Sequence, residues 1–239
     1  MTIARYDYHG RHALITGGTS GIGAGIARGF ADAGATVTAI GLATANIEPY
    51  PGVRIVEADV TDQAQLDAVV AGLERIDAVV TCAGMIKRRE EHDPEVFAEV
   101  IAVNLTGTMR TLVACKSKLV ESGGSAIAIA SILTWAAGPL VPGYSASKGG
   151  VKQLVQSLAG AWAPEGVRVN AIAPGWINTP LTDGLRADPE RTAQIMARTP
   201  MKRWGEPIDL AGPALFLCSD AAAFITGATL AVDGGYLAV

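Results

Sequence analysis

The stretch that most limits how this chain can fold is a strand that runs into glycines and then directly into a helix. His12-Ala13-Leu14-Ile15-Thr16 reads as a strand, and Gly17-Gly18-Thr19-Ser20-Gly21-Ile22-Gly23 follows without a break. Ile22, Ile26 and Phe30 then recur at helical spacing to about Ala33, and Gly34 ends the helix. The G-x-x-x-G-x-G spacing of Gly17, Gly21 and Gly23 allows a tight turn and lets a pyrophosphate approach the backbone at a helix N-terminus. A plain strand-to-helix turn does not need three glycines. There is no G-K-[ST] ending of a triphosphate loop and no G-x-S-x-G nucleophile elbow.

The pattern then repeats. Apolar strands are expected at 35–40, 53–57, 77–81, 125–130, 167–172 and 228–232, with helical segments at 62–73, 94–118, 144–162 and 207–218. Such alternation implies a doubly wound, parallel α/β sheet of about seven strands with helices on both faces. Residues 41–52 carry Pro49 and Pro51 and leave no room for a full helix, so the second crossover is expected to be abbreviated. Residues 179–200, with Pro180 and Pro189, read as a polar, irregular lid. No repeat or linker divides the chain, and residues 1–239 are expected to form one domain.

Composition removes several classes. A net charge of −4 gives no basic footprint for nucleic acid. Cys82, Cys115 and Cys218 are scattered, so neither a disulfide framework nor a zinc site is expected, and the reading is a reducing, cytoplasmic compartment. His9 and His12 read as surface histidines at a strand entrance rather than a metal pair. No segment reads as a signal core or a membrane span.

The chemistry is carried by Tyr144 and Lys148, four residues apart and so one helical turn from each other on one face. A free tyrosine titrates near pH ~10. An ammonium one turn away favours the phenolate, which makes the pair a usable general acid/base. Ser131 stands at the end of the fifth strand and can polarise a reacting oxygen. The basic run Lys87-Arg88-Arg89 follows the fourth strand, where open α/β sheets bind ligands; it could meet an anion or be a solvated patch. For Asp59, an adenine contact and a helix cap are both open. Asn104 lies inside a helical segment, where a solvent-facing side chain is the simpler reading. Trp135, Trp176 and Trp204 could line a pocket or serve as packing.

With these residues in view, the chain resembles the short-chain dehydrogenase/reductase family over nearly its full length. The motifs are Thr16-Gly17-x-x-x-Gly21-Ile22-Gly23, Asn104-x-x-Gly107, Ser131, Tyr144-x-x-x-Lys148 and Pro174-Gly175. The resemblance implies a Rossmann-type fold, a nicotinamide cofactor and a tetrad of Asn104, Ser131, Tyr144 and Lys148. In it Tyr144 is the acid/base and Ser131 holds the substrate oxygen. Lys148 binds the nicotinamide ribose and lowers the tyrosine pKa, and Asn104 helps place a relay water. The cofactor contacts it implies are Gly17, Thr19, Ser20, Gly21, Ile22, Gly23, Leu42, Asp59, Val60, Cys82, Ala83, Gly84, Tyr144, Lys148, Pro174, Gly175, Ile177 and Thr179. Where the family has Asn-Asn-Ala-Gly, this chain has Thr81-Cys82-Ala83-Gly84, which puts local hydrogen bonding in question.

A narrower resemblance, to family members acting on sugar acids, rests on four stretches. They are Ala83–Glu90, Leu185-Arg186-Ala187-Asp188, Arg203-Trp204-Gly205 and Ala231–Ala238. It implies an enzyme that interconverts a secondary alcohol and a ketone on a sugar acid or polyol. A substrate carboxylate is expected to be met by Lys87, Arg88, Arg89 or Arg186, since an arginine fork suits a carboxylate. A β-ketoacyl-acyl-carrier-protein reductase and a catalytically silent nucleotide-binding protein are the rivals. NAD is expected over NADP, because Ser20, Gly41 and Leu42 offer no lysine or arginine to a 2′-phosphate. No acid stands at Gly41 to bond the ribose, although Asn46 in the abbreviated loop could reach it. The family resemblance and the apolar Tyr236-Leu237-Ala238-Val239 stretch imply a homotetramer.

Overall fold

The computed structural model describes residues 6–42, 44 and 47–239; Asn46 lies outside them. Seven parallel strands form one sheet in the order β3-β2-β1-β4-β5-β6-β7. They are β1 (His12–Thr16), β2 (Thr36–Gly41), β3 (Val53–Glu57), β4 (Ala78–Thr81), β5 (Ser125–Ile129), β6 (Arg168–Pro174) and β7 (Thr229–Val232). The main helices are α1 (Gly21–Asp32), α2 (Gln63–Ala71), α3 (Pro94–Ile101), α4 (Gly107–Ser122) and α5 (Pro142–Trp162). Short helices α6 (Asp183–Arg186), α7 (Pro189–Ala197) and α8 (Ala211–Cys218) follow.

Alternate residues of each central strand face opposite cores, as a sheet buried on both sides requires. Leu14, Val79 and Ala126 pack on α2, α4 and α5 through Leu66, Leu112, Val151 and Val155. Their neighbours Ile15, Val80 and Ile127 pack on α1 and α8 through Ile26, Phe30 and Leu215. Full burial of each such aliphatic or aromatic side chain contributes about 1.5–3 kcal/mol. No α-helix lies between β2 and β3 among the described residues, in keeping with an abbreviated crossover.

Three expectations need correction. The segment 179–200 is helical: Pro180 and Pro189 occupy first-turn positions, and the Asp188 carboxylate caps α7 by accepting from Glu190 N and Arg191 N. Proline starts a helix there because that N–H has no partner to lose. The helix from Pro94 continues to Ser122 through a π-turn at Ala102–Thr106. This 29-residue helix, with mean hydropathy 1.3 in its most apolar window, is long and apolar enough to cross a membrane by length and composition. In this fold its inner face, with Val100, Leu112, Cys115 and Leu119, is packed in a core. The histidines are separate as well: His9 meets Asp7, whereas half-buried His12 meets Thr38.

The sheet order places the functional end. The chain leaves β1 towards β2 and β3, then returns to lay β4 on the other side of β1. Thr16 and Thr81 are register partners at the carboxyl end of that pair, where a crevice opens.

Candidate active site

Every segment singled out in the sequence meets along this carboxyl edge. The glycine loop leaves β1 and enters α1. Gly17 has φ 64°, and a β-carbon there would stand 2.6 Å from Ala83 N in the turn after β4. A β-carbon on Gly23 would run into the Gly17 carbonyl oxygen. Ser20, the residue before α1, makes no side-chain capping bond, so no side chain there caps the helix's first-turn amides. With the dipole of a 12-residue helix behind them, they fit a dinucleotide phosphate. Thr19, Ser20 and Gly21 line a surface recess with Thr179, which is itself buried and bonded to Thr182.

Among the other expected contacts, Leu42 is exposed beyond β2. Asp59 accepts from Thr61 N at 2.8 Å, while Asp62 caps α2; Asp59 is therefore a turn acid and not the cap. The Val60 side chain is buried in the core. In the turn after β4, Cys82 N donates to Thr16 O, and burial pushes the Cys82 thiol up to about 11. The hydroxyl of Thr81, one of the substituted positions, is buried without a protein partner.

Ser131 is buried just past β5, where its hydroxyl accepts from Leu133 N. Lys148 is almost fully buried, donates to Ile129 O at 2.6 Å, and holds its Nζ 5.5 Å from the centre of the Tyr144 ring. Burial brings the Lys148 ammonium down to about 8. The same burial pushes the Tyr144 phenol up to about 12, and the Ser131 hydroxyl beside it pulls the other way. Here the structure corrects the sequence reading: desolvation outweighs the Ser131 hydrogen bond and the Arg88 charge, and the phenol lies above its ordinary value.

Asn104 is also not where the sequence put it. It sits in the π-turn, wholly buried. Its amide is fully engaged: Oδ1 accepts from Met85 N at 2.8 Å, and Nδ2 donates to Met85 O and to Ser147 Oγ. Ser147 Oγ in turn donates to Tyr144 O. The side chain thus ties the segment after β4 to the first turns of α5.

In front of Tyr144 opens a cavity of about 510 Å³. Ser131 and Tyr144 form its floor, with Ile22, Pro174, Gly175 and Ile177 on the cofactor side and Leu181, Leu185 and Ile195 on the helical lid. Arg88, Arg191 and Arg198 line it, and no aspartate or glutamate does so among the described residues. Arg88 alone of the expected bases is there. Lys87 is paired with Glu99 and Arg186 with Asp183, and Arg89 is not part of the lining. Trp176 and Tyr236 also line it, with Arg198 4.5 Å over the Tyr236 ring. Trp204 packs edge-on against Trp176, and Trp135 is partly exposed outside the cavity. Sequence reading missed Arg191, on α7, and Arg198, the residue that ends it; both come into place once Pro189 is recognised as a helix starter. It also missed the role in the cavity of Tyr236, although that residue lay within a motif.

Comparison with known proteins adds to this geometry. A family model described as Enoyl-(Acyl carrier protein) reductase matches residues 17–237. A 2-dehydro-3-deoxy-D-gluconate 5-dehydrogenase of Pseudoalteromonas atlantica is 41% identical, covering 98% of this chain and 99% of that protein. A galactitol 2-dehydrogenase (L-tagatose-forming) of Cereibacter sphaeroides is 39% identical over 98% of this chain and 97% of its own. A crystal structure of a Burkholderia cenocepacia gluconate 5-dehydrogenase, in complex with NADP and tartrate, superposes with TM-score 0.93. It is 32% identical and covers 99% of each chain.

Proposed function

The chain belongs to the short-chain dehydrogenase/reductase family, and from that premise we propose a dehydrogenase for a sugar acid, with 2-dehydro-3-deoxy-D-gluconate the first candidate. It is an NAD(P)-dependent oxidoreductase acting on CH–OH groups. The observation that carries the substrate reading is the cavity lining of three arginines with no carboxylate. Arginine suits a carboxylate because its fork offers two parallel donors. An acyl-carrier substrate has less support, since a net charge of −4 offers nothing to an acidic carrier.

When bound, the cofactor accepts or gives the hydride. The Gly17–Gly23 loop and the first turn of α1 would hold its phosphates, and Lys148 would hold its ribose. Ser131 donates to the substrate oxygen. Tyr144 takes the hydroxyl proton during oxidation and returns it during reduction. Asn104 fixes the two segments that frame this chemistry. Leu181, Leu185 and Ile195 would limit water beside these groups, which strengthens their polar contacts.

For the cofactor we propose NAD over NADP. Ser20, Gly41 and Leu42 carry no cationic side chain, and Glu57 is the register partner of Gly41. A dianionic phosphate would find no lysine or arginine at these positions, and the nearby Glu57 carboxylate is already engaged by Thr44. Arg28 lies in the recess beside Ser20 but stacks on Tyr50, 5.2 Å from its ring.

Absorbance of the reduced cofactor tests both readings. The enzyme is assayed with NAD and NADP on 2-dehydro-3-deoxy-D-gluconate, D-gluconate and neutral D-glucitol. We expect kcat/KM to be at least about tenfold higher for an acid than for the polyol, and higher with NAD. Arg88→Ala should raise KM for the acid alone. Faster turnover of the polyol would overturn the sugar-acid reading, and an NADP advantage would overturn the cofactor reading.

A further inference from the structure

A buried carboxylate outside the tetrad touches both functional ends of the site. Glu91 is 1% exposed and lies in a short 3-10 turn, Glu90–His92, after β4. Its Oε2 accepts from Tyr144 N at 2.8 Å, across 53 residues of chain. Its Oε1 accepts from Lys87 N at 2.8 Å.

The first contact answers a need of α5. The residue before the helix is Val141, whose side chain has no oxygen to cap it, and Pro142 has no N–H. Ser145 N already bonds Val141 O, so Tyr144 N is a first-turn donor that must look elsewhere. Glu91 supplies the acceptor, and its charge suits the positive end of a 21-residue helix. The second contact holds the backbone beside Arg88, which lines the cavity and donates to Leu181 O. Two further bonds fasten the same segment to the loop before α5: Arg89 N to Leu140 O at 2.7 Å, and His92 Nε2 to Pro139 O. Neither of them reaches Tyr144.

We infer that Glu91 is a positioning residue, a carboxylate clasp that sets the acid/base Tyr144 and the substrate-facing Arg88 in one register. The clasp acts through backbone amides, so it fixes where both side chains begin without touching the reacting atoms. The inference rests on the reading of Tyr144 as the acid/base.

The test uses the full-length enzyme with saturating cofactor and the best substrate of the panel above. Glu91→Gln keeps the shape but turns an NH₂ towards one of the two amide donors, so one bond is lost. We expect kcat to fall at least about tenfold and KM for an acid substrate to rise, with cofactor Kd within about twofold of wild type. Amide hydrogen exchange should accelerate locally, in residues 85–92 and 142–146, and not across the sheet. Glu91→Ala should lose more, and if it does not fold the glutamine variant still decides. Local exchange with kcat and KM unchanged would reduce Glu91 to a structural cap and overturn the proposal. Unchanged exchange would also overturn it, by showing that no clasp exists. Tyr144→Phe is the separate control: if it keeps wild-type rate, the acid/base reading fails, while the exchange result still reports on the clasp.

Discussion

At the scale of the residue, the site is governed by burial. Tyr144 and Lys148 are moved in opposite directions by the same loss of water, the phenol up to about 12 and the ammonium down to about 8. Both shifts favour the neutral forms. Oxidation needs the phenolate and reduction needs the phenol. The expected kcat/KM for alcohol oxidation therefore climbs with pH from neutrality towards the phenol's raised value of about 12, while ketone reduction does not climb with it. A pH profile in both directions checks this; parallel profiles would exclude Tyr144 as the group that changes roles. Tyr144→Phe should lower turnover by ~10²–10⁴-fold and leave cofactor affinity nearly intact. Steady-state rates and a fluorescence titration of the cofactor measure the two halves of that statement. The tyrosine and lysine were legible because their spacing is local. Glu91 was not, because its partner is 53 residues away and the bond goes to a backbone amide that no motif displays.

At the scale of the element, strands were the most legible part. Period-two burial on both faces leaves continuous apolar runs such as Ala78-Val79-Val80, and most boundaries fall within two residues. The departures have local causes. Prolines at 180 and 189 look like breakers when read alone, yet each opens a helix. Asn104 was hidden because a constant helical period was assumed. The π-turn adds a residue to one turn, Gly107 N reaching back to Ala102 O, and this rotates the asparagine inward. The lid gives a prediction of its own. Asp188 accepts two backbone bonds at the start of α7, at 3.0 and 3.1 Å, and α7 carries Arg191, Gln194 and Ile195 into the cavity. Asp188→Ala should cost about 1 kcal/mol in helix stability. Its kinetic signature should be a raised KM with kcat largely kept. A variant with unchanged KM would mean that the lid holds its shape without the cap.

At the scale of the whole molecule, apolar side chains remain uncovered in groups. Met109 and Val113 lie one turn apart on α4, Leu230 sits on edge strand β7, and Phe224 is fully exposed nearby in sequence. Edge strands and apolar helix faces of this kind invite a second copy. We expect a homotetramer, and sedimentation velocity at micromolar concentration should show it. A single monomeric species would contradict that expectation, and Met109→Glu with Val113→Glu should shift a real assembly towards smaller species. The strand order has an evolutionary consequence. Ser20, Gly41, Leu42 and Glu57, on which the proposed choice of cofactor rests, all precede α2. Arg88, Ser131, Tyr144, Lys148, Arg191 and Tyr236 all follow it. A genetic crossover placed within Gln63–Ala71 would therefore separate the gene between the residues proposed to choose the cofactor and those proposed to meet the substrate. Lineages could recombine there to change which cofactor pool the enzyme draws on while keeping its substrate.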